Sequence, residues 1–94
     1  RLWARGWLPR KGKVATTMAT AVAHKVRGLL PSLEQGVASG DGADIALANI
    51  ADLAGIDALM EAPPSVDAIP DMKPGDFQAA LDRIRAALAA HPPR

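Results

Sequence analysis

The chain has no cysteine and no tyrosine, and its only aromatic residues are Trp3, Trp7 and Phe77. The first absence excludes disulfides and thiolate metal sites, and leaves the redox compartment unmarked. The shortage of aromatics limits the bulk available to a core. Much of the 49% hydrophobic fraction is alanine, which favours helix but buries little area. Apolar burial stabilises by only about 25 cal/mol per Å², so such a core is weak for its size. No run of about 18 apolar residues occurs, which excludes a membrane-spanning helix. Acids are missing from one end of the chain. Residues 1–30 carry seven cations and no acid, whereas residues 31–94 carry four cations and ten acids. Either the two parts attract each other in the fold, or the basic end faces an acidic partner.

Ninety-four residues suit one domain with one core. A chain of this length buries roughly 60–65% of its unfolded surface, so its own stability is expected to be modest. A partner, a homo-oligomer or a larger parent assembly would add to it. Residue 1 is Arg rather than Met, which suggests a fragment or processed form of a longer chain. A targeting reading of the first third, as a signal or transit sequence, is weak. Three threonines dilute the apolar stretch, and its amphipathic pattern runs on past any cleavage point.

The clearest local pattern is Asp41 to Ile56, DGADIALANIADLAGI. Asp41 is placed to cap a helix, and Asp44 puts a carboxylate near the positive end of the helix dipole. Ala43, Leu47, Ile50, Ala51 and Ala54 recur at helical spacing, and Gly55 is placed for a left-handed C-terminal residue. A second helix is expected over 13–30, with Val14, Met18, Val22, Val26 and Leu29 on one face. Pro31 ends or kinks it, and Ser32 to Val37 make a further turn on which Leu33 continues the apolar face. A short helix is expected over 57–62, stopped by Pro63 and Pro64. Residues 63–75 hold four prolines and should run as an extended Pro-rich connection, pinned by Val66, Ile69 and Met72. The last helix is expected from Asp76, as its cap, to about Ala90, with a narrow stripe of Phe77, Ala80, Leu81, Ile84 and Leu88. The fold class that follows is all-α: a small bundle of three main helices and one short helix over 13–94, preceded by an extended basic arm over 1–12.

That arm, RLWARGWLPRKG, is interrupted by Gly6, Pro9 and Gly12 and interleaves cations with two indoles. The pattern suits a protein groove, a nucleic-acid strand or a membrane interface. Its plain alternative is a flexible tail. Trp3, Arg5, Trp7, Arg10, Lys11 and Lys13 are the candidate partner-binding residues.

Evidence for enzymatic chemistry is thin. The string GDGAD, Gly40 to Asp44, with the Ala/Ile/Asp-rich run after it, resembles the acidic magnesium loop of haloacid-dehalogenase-type phosphatases and cation-pumping ATPases. The resemblance covers about twenty residues and departs at the ligand: the family's second carboxylate falls where Ile45 stands. The family's DxDx(T/V) nucleophile string is absent as well. Asp41 and Asp44 are therefore read as helix-capping residues. Ala43 and Ile45 also block an EF-hand loop, and His24 and His91 lack a neighbour at metal spacing. No catalytic residue, cofactor site or metal site is assigned. The leading expectation is a non-enzymatic protein-interaction or assembly module, with another protein or a second copy as partner. A nucleic-acid-binding domain using residues 1–30 is the alternative, and an enzyme comes third.

Overall fold

The computed structural model describes residues 2–91, with side chains from Met18 to His91. The arm expected over residues 1–12, with Trp3, Arg5, Trp7, Arg10, Lys11 and Lys13, lies outside the residues whose side chains are described. The described chain is helical throughout and has no strand, as the periodicities predict. Helix α1 is Leu2–Ser39, α2 Ala43–Ala51, α3 Ile56–Leu59 and α4 Pro74–Ala89, with a 3-10 helix at Val66–Asp71. From Met18 onward α1 is the spine of the bundle: α2, α3 and α4 all pack on it. None of the helices searched is long and apolar enough to cross a membrane.

The buried face of α1 comprises Ala19, Val22, Ala23, Val26 and Leu33. It is turned about one position from the face expected, and Met18 falls at its margin, 51% exposed. Small residues hold the centre because neighbouring elements come close there. A Cβ on Gly55 would stand 3.0 Å from Val22 Cγ2, and Gly55 has φ 84. Glycine alone satisfies both conditions without strain.

Helix α1 does not end at Pro31 but runs on to Ser39. Pro31 has no N–H to offer the carbonyl of Arg27, a local loss of about 3 kcal/mol in a helix interior. Leu33, fully buried two residues on, holds the continuation in place. Tertiary burial here overrides a local stop signal. Pro31→Ala should restore the missing bond at an exposed position. Part of that gain is offset by a freer unfolded chain, so stability should rise by about 1–2 kcal/mol. A urea midpoint that stays level or falls would show that the turn at Pro31 carries no such loss.

Other local expectations are corrected in detail. The N-cap of α2 is Gly42, at φ 87 with no side-chain hydrogen bond, and not Asp41. The turn before α2 needs left-handed residues at Gly40 and Gly42, which takes the cap position away from the aspartate. Helix α2 stops at Ala51, and Gly55 is left-handed as expected but opens α3 instead of closing α2. The Pro-rich connection is only partly extended, since Val66–Asp71 winds into the 3-10 helix. Ile69 is buried and Met72 half-buried, whereas Val66 stays exposed. Asp76 is not the N-cap of α4. Pro74 takes the first helical position, for which its fixed φ and missing N–H suit it. Asp76 Oδ2 instead accepts the Lys73 backbone N–H at 2.9 Å.

The stripe of α4 is as expected: Ala80, Leu81, Ile84 and Leu88 are buried and Phe77 half-buried. Arginines tie the end of this bundle together. Arg27 of α1 donates to the carbonyl of Leu88 at 2.8 Å and to that of His91. The Leu88 carbonyl, in the last turn of α4, also accepts the His91 N–H at 3.0 Å, and the helix dipole favours a cation at this end. Arg83 donates to the carbonyls of Glu61, at 3.2 Å, and Ala62, which has φ 47.

Candidate functional site

A surface concavity lies where the C-terminal end of α1, the turn into α2, the 3-10 helix and the start of α4 meet. Its volume is about 510 Å³. Its lining mixes apolar side chains, Ile69, Met72 and Phe77 among them, with the carboxylates of Asp41 and Asp44.

Local chain geometry creates this mixture. At Gly36 the helices α1 and α2 touch backbone to backbone: a Cβ there would stand 2.6 Å from Ala43 N and 2.7 Å from Ala43 Cα. The chain reverses between them in a tight turn, with the Gly40 N–H donating to the Gly36 carbonyl at 2.9 Å. Ser39 Oγ steadies the turn by donating to the Asp41 carbonyl at 3.2 Å and accepting the Asp41 N–H at 3.3 Å. The reversal sets Asp41 and Asp44 on one edge of the groove. In the same lining, Ile69 anchors the 3-10 helix in the core, and Met72 and Phe77 are half-covered.

The groove is also electronegative. Its lining holds Asp41 and Asp44 and no cation, and the chain next to it adds Asp71, Lys73 and Asp76. All five are exposed. The first turn of α2 brings the positive end of a helix dipole to this edge, and Asp44 in that turn offsets it. None of the described cations forms an ion pair with Asp41 or Asp44. Arg27 and Arg83 are tied to carbonyls, and Arg85 pairs with Glu34 at 2.7 Å and Asp82 at 3.7 Å. Among the described residues those two ion pairs leave Asp41, Asp44 and Asp71 without a cationic partner.

The structure thus brings together residues that the sequence reading had kept apart. Asp41 and Asp44 belong to the turn and first helical residues of α2, Ile69 and Met72 to the Pro-rich connection, and Phe77 to the stripe of α4. The available signal was the density of glycine from Gly36 to Gly42, which marks a close approach but not what it faces. No group of three or more His, Asp or Glu suited to a metal ion occurs among the described residues. No polar or charged side chain among them is buried. Comparison with protein-family models, curated proteins and solved structures finds no match to this chain.

Proposed function

We propose that this chain is a non-enzymatic interaction or assembly module, docking through its basic Trp-bearing segment and its apolar helix faces. The observation that carries the reading is the groove, where half-covered Met72 and Phe77 stand beside carboxylates without cationic partners. Aromatic and Met side chains are enriched in protein interfaces, and a groove that offers both contact area and charge is fit to bind a peptide segment. Trp3 and Trp7, with Arg5, Arg10, Lys11 and Lys13 around them, form the complementary kind of surface. Indoles and guanidinium groups are the side chains most often found as interface hot spots.

Two binding measurements on the full chain test this. Immobilised wild-type chain should retain a protein from an extract of its source cells. Trp3→Ala/Trp7→Ala should weaken that retention by about thirtyfold or more, the scale of a hot-spot loss of 2 kcal/mol or above. A labelled single-stranded oligonucleotide measures the competing chemistry. Strand binding that survives loss of both indoles, yet falls a hundredfold or more between about 50 and 200 mM salt, would replace the reading with a nucleic-acid one.

A further inference from the structure

Resting on that assembly reading, we propose that the groove is the acceptor for residues 1–12 of a second copy of this chain. Three matches support the assignment. The first is size: about 510 Å³ falls within the roughly 300–1,000 Å³ of ligand pockets, room for an indole and its neighbours. The second is surface chemistry. Met72 offers a thioether and Phe77 an aromatic ring, both of which favour an aromatic guest. The third is charge. Residues 1–12 carry Arg1, Arg5, Arg10 and Lys11 with no acid, while the groove lining holds Asp41 and Asp44 and no cation. In the segment each indole is followed by a cation, Trp3 by Arg5 and Trp7 by Arg10. The groove lining likewise combines apolar side chains with two carboxylates, Asp41 and Asp44.

A second copy is favoured over the chain's own segment by the direction of α1. The groove is built on Gly36 and Val37, near the C-terminal end of that helix. Eighteen residues earlier, at Met18, the helix axis has already run about 27 Å from Gly36, and residues 1–12 precede that point. Segment and groove thus belong to opposite ends of one long element. Two copies with antiparallel α1 helices exchange segments reciprocally and close as a two-fold dimer, whereas copies in line pair head-to-tail into a ring or filament.

The test uses the full chain, its sedimentation and its tryptophan emission. Both indoles lie in the segment, so emission reports that segment alone. Between about 1 and 200 μM the mass should rise and the emission should move to shorter wavelength together. Asp41→Lys/Asp44→Lys should abolish both changes. The milder Asp41→Asn/Asp44→Asn, which leaves the exposed turn free of added charge, should weaken association about tenfold at low salt. Trp3→Ala/Trp7→Ala should also stay monomeric. Mixing the lysine variant with the tryptophan-free variant should then restore one contact and stop at a one-to-one dimer, with the emission shift recovered. A chain monomeric throughout, with solvent-exposed emission, overturns the inference, while the extract measurement judges the assembly reading separately. Self-association indifferent to the groove substitutions overturns the groove and keeps assembly. A short-wavelength emission that is independent of concentration but lost in the groove variants means that the segment folds onto its own groove, and overturns the second copy.

Discussion

Gly36→Ala is expected to lower the unfolding free energy by about 3 kcal/mol, the upper part of the range for overpacking a tight contact. The added methyl carbon would meet the Ala43 backbone nitrogen at 2.6 Å and its Cα at 2.7 Å. Neither atom can swing aside as a flexible side-chain tip can. Relief requires α1 and α2 to separate, and that would disturb the buried face of α2 formed by Ala43, Ala46, Leu47 and Ile50. Helix propensity acts in the opposite direction, because alanine is better than glycine inside a helix by about 1 kcal/mol. Gly28 isolates that opposing effect. It lies in the same helix with nothing within 4 Å of its Cβ position, so Gly28→Ala should raise stability by about 0.5–1 kcal/mol. Two identical substitutions in one helix should therefore shift the urea midpoint in opposite directions. Midpoints that both rise would show that the two helices are not in backbone contact. Loss of the groove in Gly36→Ala should follow the loss of stability, since the same contact sets the position of the Asp41 rim.

Ile84→Ala is expected to cost about 3–4 kcal/mol, within the range for truncating a buried aliphatic side chain. Ile84 has no exposed surface and shares one cluster with Val26, Leu33, Leu47 and Ile50. The bundle has few large side chains with which to refill the space, because alanine supplies three members of that cluster's α1 and α2 faces: Ala23, Ala43 and Ala46. A cavity left beside rigid helices and short side chains collapses poorly, which raises the cost. Domains of this size have unfolding free energies of only about 5–14 kcal/mol, so the substitution removes a large share. The melting temperature should drop by roughly 12–30 °C at 4–8 °C per kcal/mol. A change below about 1 kcal/mol would show that Ile84 does not bridge the helices.

The helical class and the positions of the apolar faces were legible in the order of residues. Phe77, Ala80, Leu81, Ile84 and Leu88 recur at the spacing of one helix face, and that periodicity needs no tertiary knowledge to be read. Gly55 was legible in the same way, as a residue suited to a left-handed backbone. Punctuation was less reliable. Pro31 marks a stop in local terms, yet α1 passes through it because burial of Leu33 outweighs one lost hydrogen bond. Asp41 and Asp76 have the side chains of N-caps, but neither occupies that position. Left-handed Gly42 precedes α2, and the Lys73-Pro74 step begins α4 two residues ahead of Asp76. A cap is defined by backbone angles at one residue, and competing residues nearby leave its position open until the chain is packed.

What the sequence determined by itself is thus the set of local periodicities, the uneven distribution of charge and the confinement of both indoles to a basic segment. Each is a property of neighbours along the chain and survives any arrangement of the helices. The groove was decided only by tertiary structure. Asp41 and Phe77 are far apart in sequence and meet at one concavity because Gly36 lets α1 and α2 touch and Ile69 pins the connection between α2 and α4. Contact between distant segments depends on how closely backbones approach, a quantity set by the packed whole and carried by no single stretch.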